Sequence, residues 1–351
     1  MSNRIPVTVL GATGSVGQRF IQLLDGHPYF EVIELTGSKR SVGQPYAQAC
    51  HWILEQDMPE WAKEMIINES SPETTEALVA FSALPSSVAW MLEPEYASNG
   101  IMVCSNASAY RDEPDVPLLM PEINPDHIEM LAHQRTRRAW KGGIVTNPNC
   151  TSAGPTVVLK ALNDSVGVRN VFAVSLQALS GAGLPGVSAI DIIDNVIPYI
   201  GGEEDKVSSE PRKMLGKLEG DTIKTASIEI SAHTNRVPVR DGHLVCLSIQ
   251  LHNPLEIDEA RHVLENYQAP IISRNLPSTP QPVIQVLKQE DRPQPRLDRM
   301  IGNGMTTVVG RLRLDPIWHI KMVVLSHNTI RGAAGGSIFN AELLFKEGWL
   351  G

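Results

Sequence analysis

The sequence predicts an α/β protein of two domains, the first built on a parallel sheet and the second an α+β domain with a mostly antiparallel sheet. The chain has 351 residues, which is more than one ordinary hydrophobic core accommodates. Up to residue 150, short apolar strands alternate with helical patterns, as in right-handed βαβ units. Beyond this point the strand-like runs are longer and alternate apolar with polar residues, which indicates strands with one buried face.

The first half is predicted to contain strands separated by helices. Residues 5–10 form an apolar run, and the helical pattern that follows the next loop ends near Gly26. Further strands are predicted at residues 31–36, 78–84, 101–104 and 143–146, with a helix at residues 86–99.

The second half is predicted to begin with a helix at residues 151–162. Its strands are predicted at residues 171–179, 223–230, 243–251, 306–314 and 318–326. Residues 281–297, rich in proline, charge and glutamine, are predicted to be a long surface excursion, and residues 332–349 an apolar helix with a glycine-rich start. We therefore assign residues 1–150 and 332–351 to the first domain and residues 151–331 to the second.

Composition and charge exclude several classes of protein. The chain is 42% apolar and 20% charged, which is typical of globular proteins, and its net charge of −9 argues against a nucleic-acid-binding surface. No apolar run approaches the roughly 18 residues that cross a bilayer, and no leader pattern precedes the first strand. The four cysteines are widely spaced, which predicts neither a disulfide framework nor a metal site. We expect a cytoplasmic protein without membrane partners.

The loop after the first strand carries glycines at positions 11, 14 and 17 and leads into a helix. Such a loop lets the backbone approach a pyrophosphate at the helix N-terminus, where the dipole favours anions. The alternative is a turn that needs positive φ. Because strand and helix flank the loop, we predict a Rossmann-type dinucleotide site that includes Gly11, Thr13, Gly14, Ser15, Val16 and Gly17.

The end of the second strand indicates which dinucleotide is bound. An NAD site usually places an acidic residue here, whereas this chain has hydroxyls and cations at Ser38, Lys39, Arg40 and Ser41. These groups suit a 2′-phosphate and predict NADP as the cofactor. If the second strand ends earlier, Glu34 could be the acidic residue of an NAD site. The other alternative is that Lys39 and Arg40 form a solvated basic turn.

Cys150 is the candidate nucleophile because it lies between a strand and a helix, among polar, turn-forming residues. A helix N-terminus stabilises a thiolate, so we expect a lowered thiol pKa. Cys104 and Cys246 lie inside apolar strands, and a lone cysteine is often only a small core residue. His243, on a turn before a strand, is the candidate base, although a histidine taken alone is more often a surface or capped residue than a catalyst.

Taken together, these motifs resemble the aspartate-semialdehyde dehydrogenases of the archaeal and fungal type. The resemblance covers nearly the whole chain, through residues 11–20, 105–108, 148–151, 177–183, 201–206, 236–243 and 331–335. Two positions depart from the usual pattern, since Ser152 follows Thr151 and Tyr110 precedes Arg111.

The resemblance implies a role for each matching residue. It makes Cys150 the nucleophile, His243 the general acid/base and Gln177 the residue that positions the acyl intermediate. The implied substrate ligands are Arg236 for a carboxylate, Arg111 and Lys206 for a phosphoryl group and Glu203, or alternatively Glu204, for an amine. The residues implied along the nicotinamide are Ser180, Gly181, Gly183 and Asn328.

The implied reaction reduces L-aspartyl-4-phosphate to L-aspartate-4-semialdehyde and phosphate, in lysine, threonine and methionine biosynthesis. A thiolate would displace phosphate to give a thioester, which NADPH would reduce to the aldehyde. The family also implies a homodimer or homotetramer. Alternatives are malonyl-CoA reductase, N-acetyl-glutamyl-phosphate reductase and, from another class, an NADP-sensing regulator.

Overall fold

The computed structural model describes residues 4–350, which form two six-stranded sheets and a two-stranded hairpin. The strands are β1 Ile5–Leu10, β2 Phe30–Thr36, β3 Ile67–Asn68, β4 Val79–Ser82, β5 Met102–Ser105, β6 Gly143–Thr146, β7 Val168–Gln177, β8 Lys217–Glu219, β9 Thr222–Lys224, β10 Glu229–Arg236, β11 His243–Leu251, β12 Ile284–Val286, β13 Thr307–Leu314 and β14 Ile320–Ser326. The α-helices are α1 Ser15–Leu24, α2 Tyr46–Ala49, α3 Glu60–Lys63, α4 Ser86–Ser98, α5 Met130–Arg138, α6 Cys150–Val166, α7 Ala189–Ile192, α8 Glu203–Met214, α9 Ile257–Glu265, α10 Pro295–Asp298 and α11 Gly335–Lys346.

The first sheet is parallel, with strand order β3-β2-β1-β4-β5-β6, and helices cover both of its faces. Alternate residues of β5 point to opposite sides, so that Cys104 lies in a core shared with α1 and α11, and Val103 in a core shared with α4. Central parallel strands buried on both faces read as continuous apolar runs, which is why the sequence revealed them. The Rossmann-type prediction is confirmed.

The second sheet has the order β10-β7-β11-β14-β13-β12. Its four central strands pair antiparallel, and the two edge strands pair parallel with their neighbours. Helices α6 and α9 cover one face, where Val157 and Leu264 pack with Val245 and Leu247 of β11. The prediction of a mostly antiparallel sheet with helices on one face is confirmed.

Two predictions for the second half are wrong in detail. Residues 223–230 are not one strand, because β9 closes a hairpin with β8 and a separate edge strand, β10, runs on to Arg236. The excursion at residues 281–297 is partly sheet, since β12 pairs with β13 and α10 follows. Strands β8, β9 and β12 have three residues each and are too short to leave a clear periodic pattern.

The strand register brings distant residues to one place between the two sheets. Arg236, the last residue of β10, pairs with Gln177, the last residue of β7. The antiparallel neighbour β11 starts at His243 beside these ends. Helix α6 begins at Cys150, four residues after the end of β6.

Within residues 4–350, none of the helices combines the length and hydrophobicity needed to span a bilayer.

Candidate active site

Cys150 is the first residue of α6 and lies beside His243. Asn149 caps the helix, because its side-chain oxygen accepts a 2.7 Å hydrogen bond from the backbone N–H of Thr151. The Cys150 Sγ and His243 Nε2 atoms are 3.2 Å apart, although the residues are 93 positions apart in sequence. A Cβ added at Gly332 would lie 2.7 Å from the Cys150 Cβ, so the backbone at this glycine packs directly against Cys150.

A backbone contact fixes the tautomer of His243. The N–H of Ala178 donates to His243 Nδ1 over 3.0 Å, which makes Nδ1 an acceptor. In the neutral ring the proton therefore sits on Nε2, the nitrogen that faces Cys150. Burial, together with the nearby Arg236 and His327, lowers the pKa of His243 to about 3. The ring is therefore neutral at physiological pH and presents an N–H to the sulfur.

The surroundings of Cys150 favour its thiol over its thiolate. Burial raises its pKa to about 12, and the carboxylate of Glu203 acts in the same direction. Arg111 and Arg236 lower this pKa but do not offset the burial. This direction is opposite to the one expected from the helix N-terminus, because protein packs closely around the sulfur.

Arg236 and Gln177 lie next to the Cys150–His243 pair. Arg236 Nη1 donates to the carbonyl oxygen of Ala178 over 2.7 Å, and Gln177 Nε2 donates to Ser175 Oγ over 3.3 Å. A Cβ at Gly181 would come within 2.9 Å of Arg236 Nη1 and 3.0 Å of His243 Cε1. The loop at Gly181 therefore approaches both side chains, which only a glycine allows.

Helix α8 faces the start of α6 and carries two of the expected substrate ligands. Glu203 accepts hydrogen bonds from Asn149 Nδ2 at 2.9 Å and from Thr151 Oγ1 at 3.1 Å. Lys206 Nζ lies 3.9 Å from the Glu203 carboxylate. Glu204, the alternative to Glu203, is exposed and instead accepts from the Thr234 N–H of β10. The structure thus brings Glu203 to Cys150 and turns Glu204 away.

The sequence reasoning missed Glu210, which connects Arg111 to the nucleophile's helix. Its Oε1 accepts from Arg111 Nη1 at 3.0 Å, and its Oε2 accepts from the Asn149 N–H at 2.5 Å. Helix α8 was not predicted, because its polar composition and its internal Pro211 give a weak helical pattern. The spacing of Glu203, Lys206 and Glu210 along one helical face was the available signal.

A cleft of about 820 Å³ lies above the glycine loop. Its lining residues include Gly11, Thr13, Gly14, Ser15, Val16, Ser38, Lys39, Glu69, Ser70, Gly183 and Leu184. Gly11 has φ of +74°, and a Cβ there would lie 2.9 Å from the carbonyl oxygen of Ala83. A Cβ at Gly17 would lie 2.4 Å from the carbonyl oxygen of Gly11, so α1 can start this close to the loop only without a side chain. The cleft's volume and the helix N-terminus beside it fit a dinucleotide.

Only some of the residues expected at the end of β2 to bind the cofactor line this cleft. Lys39 and Ser38 line it, whereas Arg40 is exposed outside the lining and Ser41 is buried, with its N–H donating to the Ser38 carbonyl. Glu34 is buried within β2 and accepts from Asn68 Nδ2, away from the lining. Glu69 and Ser70, which follow the unpredicted β3, are lining residues that the sequence reasoning missed.

A second cavity, of about 410 Å³, continues from the cleft and shares Ser15, Gly183 and Leu184 with it. It is also lined by Ser180. Asn328 lies behind Ser180, donating to its hydroxyl at 2.7 Å and accepting from the Gly242 N–H at 2.8 Å. Asn328 therefore supports this wall and the turn before His243. Among the described residues, no group of His, Cys, Asp or Glu side chains could hold a metal ion.

Comparisons with known proteins agree with this geometry. Two family models match, "semialdehyde dehydrogenase, NAD binding domain" over residues 6–131 and "semialdehyde dehydrogenase, dimerisation domain" over residues 159–331. The aspartate-semialdehyde dehydrogenase of Archaeoglobus fulgidus is 49% identical over 98% of this chain and 99% of its own length. That of Saccharomyces cerevisiae is 44% identical over 96% of each chain. The crystal structure of the Candida albicans enzyme with NADP has a TM-score of 0.90 and 40% identity, covering 99% of both chains.

Proposed function

The chain belongs to the aspartate-semialdehyde dehydrogenase family, and from this premise we propose that it catalyses NADPH-dependent reduction of L-aspartyl-4-phosphate to L-aspartate-4-semialdehyde and phosphate. The family resemblance predicted from the sequence is thereby confirmed. The observation that carries the proposal is the 3.2 Å contact between Cys150 Sγ and His243 Nε2, set between a dinucleotide cleft and a group of cationic side chains.

Cys150 would act as the nucleophile. Its sulfur attacks the acyl carbon and the carbon–oxygen bond to phosphate breaks. The departing phosphate takes the electrons of that bond and the thiol proton, and a thioester remains. His243 places its Nε2–H at the sulfur, where it can hydrogen-bond the thiolate and then the acyl oxygen. Gln177, at the end of β7, would orient the acyl group. The hydride that reduces the thioester is the chemistry that NADPH supplies when bound.

The substrate's charged groups would be bound by the side chains around Cys150. Arg236 would bind the α-carboxylate, since a guanidinium fork matches a carboxylate. Arg111 and Lys206 would bind the phosphoryl group, and Glu203 the amino group. These assignments are supported by the closeness of Glu203, Arg111 and Arg236 to Cys150, whose thiol pKa each of them shifts.

The cofactor would lie in the cleft with its pyrophosphate at the N-terminus of α1. Its nicotinamide would reach the second cavity, beside Ser180, Gly181 and Gly183 and supported by Asn328. We propose that residues 1–150 and 332–351 form the NADP-binding domain and residues 151–331 the catalytic and dimerisation domain. The packing of α11 against the first sheet supports the inclusion of the C-terminal residues.

Lys39 is expected to select NADP. Replacing Lys39 by alanine removes a cation from the cleft, so the preference for NADPH over NADH in kcat/KM should fall about tenfold, the effect of one charge-assisted phosphate contact. Arg40→Ala is the matched control, because Arg40 lies outside the lining and should change the preference by less than about twofold. An unchanged preference in both variants would contradict the proposed 2′-phosphate site.

We also propose a cytoplasmic homodimer or homotetramer that associates through the second sheet. The face of this sheet opposite α6 leaves Cys246 exposed and Phe172 36% exposed. Nearby in sequence, residues 184–199 expose Ile190 at 88% and Tyr199 at 72%. Apolar surface of this kind favours burial against a second copy.

Reverse turnover tests the proposed reaction. Aspartate semialdehyde, phosphate and NADP should together give NADPH, with NAD in a parallel assay and with malonate semialdehyde plus coenzyme A in another. Dependence on aspartate semialdehyde and phosphate supports the proposal. Turnover that needs coenzyme A instead would identify a malonyl-CoA reductase, and no turnover in any assay would favour an NADP-sensing regulator.

A further inference from the structure

We propose that Glu210 is a positioning residue, which fixes the guanidinium of Arg111 relative to Cys150 and thereby sets the phosphate site. This inference rests on the proposed function, in which Arg111 binds the phosphoryl group. Glu210 is 3% exposed, and both of its carboxylate oxygens bind residues of the site. One accepts from Arg111 Nη1 and the other from the N–H of Asn149, the residue before Cys150. A single side chain therefore links the cation to the nucleophile's helix.

Arg111 makes further hydrogen bonds through its second terminal nitrogen and through its backbone carbonyl. Its Nη2 donates to the carbonyl oxygen of Asn106 over 2.8 Å. Lys213, one helical turn beyond Glu210, donates from Nζ to the carbonyl oxygen of Arg111 at 2.6 Å and to that of Glu113 at 2.9 Å. Arg111 is 8% exposed, and its Nε–H has no partner among the described residues. Both terminal nitrogens of this buried guanidinium are hydrogen-bonded, whereas its Nε–H can still donate to a further acceptor.

The electrostatic effect of Glu210 alone opposes anion binding. Its carboxylate reduces the positive charge offered to a phosphoryl group and contributes to raising the pKa of the Cys150 thiol. Its contribution to catalysis must therefore be geometric. It holds the forked side chain of Arg111 in one orientation, so that less conformational freedom is lost when phosphate binds.

Glutamine at this position cannot make both contacts. The two partners of Glu210, Arg111 Nη1 and the Asn149 N–H, are both donors, and an amide offers one acceptor and one donor group. Glu210→Gln must therefore leave one contact broken. Glu210→Asp keeps the charge but shortens the side chain by one methylene, so it also cannot span both partners.

The test measures Michaelis constants in the reverse reaction, with Glu204→Gln as the control because Glu204 lies on the same helix but is exposed and faces β10. Glu210→Gln and Glu210→Asp are expected to raise KM for phosphate about ten- to a hundredfold, while KM for aspartate semialdehyde and NADP changes less than about threefold. In an Arg111→Lys background, Glu210→Gln should add less than about twofold, because Glu210 acts through Arg111.

A second readout does not need turnover. Inorganic phosphate should slow alkylation of Cys150 by iodoacetamide in the wild-type protein, and about tenfold more phosphate should be needed in Glu210→Gln. If the Michaelis constants for phosphate, aspartate semialdehyde and NADP rise together, or the loss persists in full in the Arg111→Lys background, Glu210 serves only folding and the inference is overturned. If wild type lacks turnover while phosphate protection still depends on Glu210, the proposed reaction fails and the positioning role stands.

Discussion

Cys150→Ser is expected to reduce turnover to a trace, with kcat at least about a thousandfold lower. The sulfur forms the bond on which both halves of the reaction depend. A serine hydroxyl at the same place is a far weaker nucleophile, and the Nε2–H of His243 cannot accept its proton. The fold should survive, because the substitution is nearly isosteric and the cap at Asn149 does not involve the sulfur. Steady-state NADPH formation measures the loss, and circular dichroism checks the fold.

Cys50→Ser provides the matched control for this prediction. Cys50 is a free, buried cysteine, but it lies in the core beside Tyr46. Its replacement should leave kcat within about twofold of wild type, since no reacting group contacts it. Mass spectrometry after mixing with an acyl-phosphate analogue should show an acyl adduct on wild type and none on Cys150→Ser. Substantial turnover in Cys150→Ser would exclude the thioester.

The sequence predicted those parts of the fold that bury continuous apolar surface. The strand at residues 143–146 and the strand from His243 to Leu251 were predicted with their observed bounds. The first is an edge strand buried along its whole length, and the second is a central strand with an alternating pattern. Several elements were missed or misplaced. Among them β3 and β12 are short and α8 is polar, and tertiary contacts hold these three in place.

The site was predictable where a motif carries its own geometry. The junction at Cys150 and the glycine loop are local features, so sequence alone located them. Glu210 and Glu69 were missed because each becomes part of a site only through elements far away in the chain. The thiol pKa was predicted in the wrong direction for the same reason. Burial raises the pKa of this thiol, and the segments around Gly181 and Gly332, which pack against His243 and Cys150, are distant from Cys150 in sequence.

His243→Ala is expected to lower kcat by about 10²- to 10⁴-fold, the range of a general acid–base group. The loss comes from the Nε2–H, which is 3.2 Å from the sulfur and has no substitute in alanine. KM for aspartate semialdehyde should change less, because Arg236 and Glu203 would still bind the substrate's charged groups. His262→Ala, on an exposed face of α9, is the matched control and should retain activity.

The pH dependence separates a hydrogen-bond donor from a base. Because burial and Arg236 lower the pKa of His243 to about 3, its ring is neutral throughout pH 5 to 9 in the free protein. The raised pKa of Cys150 means that the thiolate fraction grows with pH across this range. Alkylation of Cys150 by iodoacetamide, a neutral reagent, should therefore rise steadily with pH and show no inflection near the ordinary histidine pKa of about 6.5. An inflection there that disappears in His243→Ala would show that the ring takes up a proton at Nδ1, against the N–H of Ala178, and would make His243 a base rather than a donor.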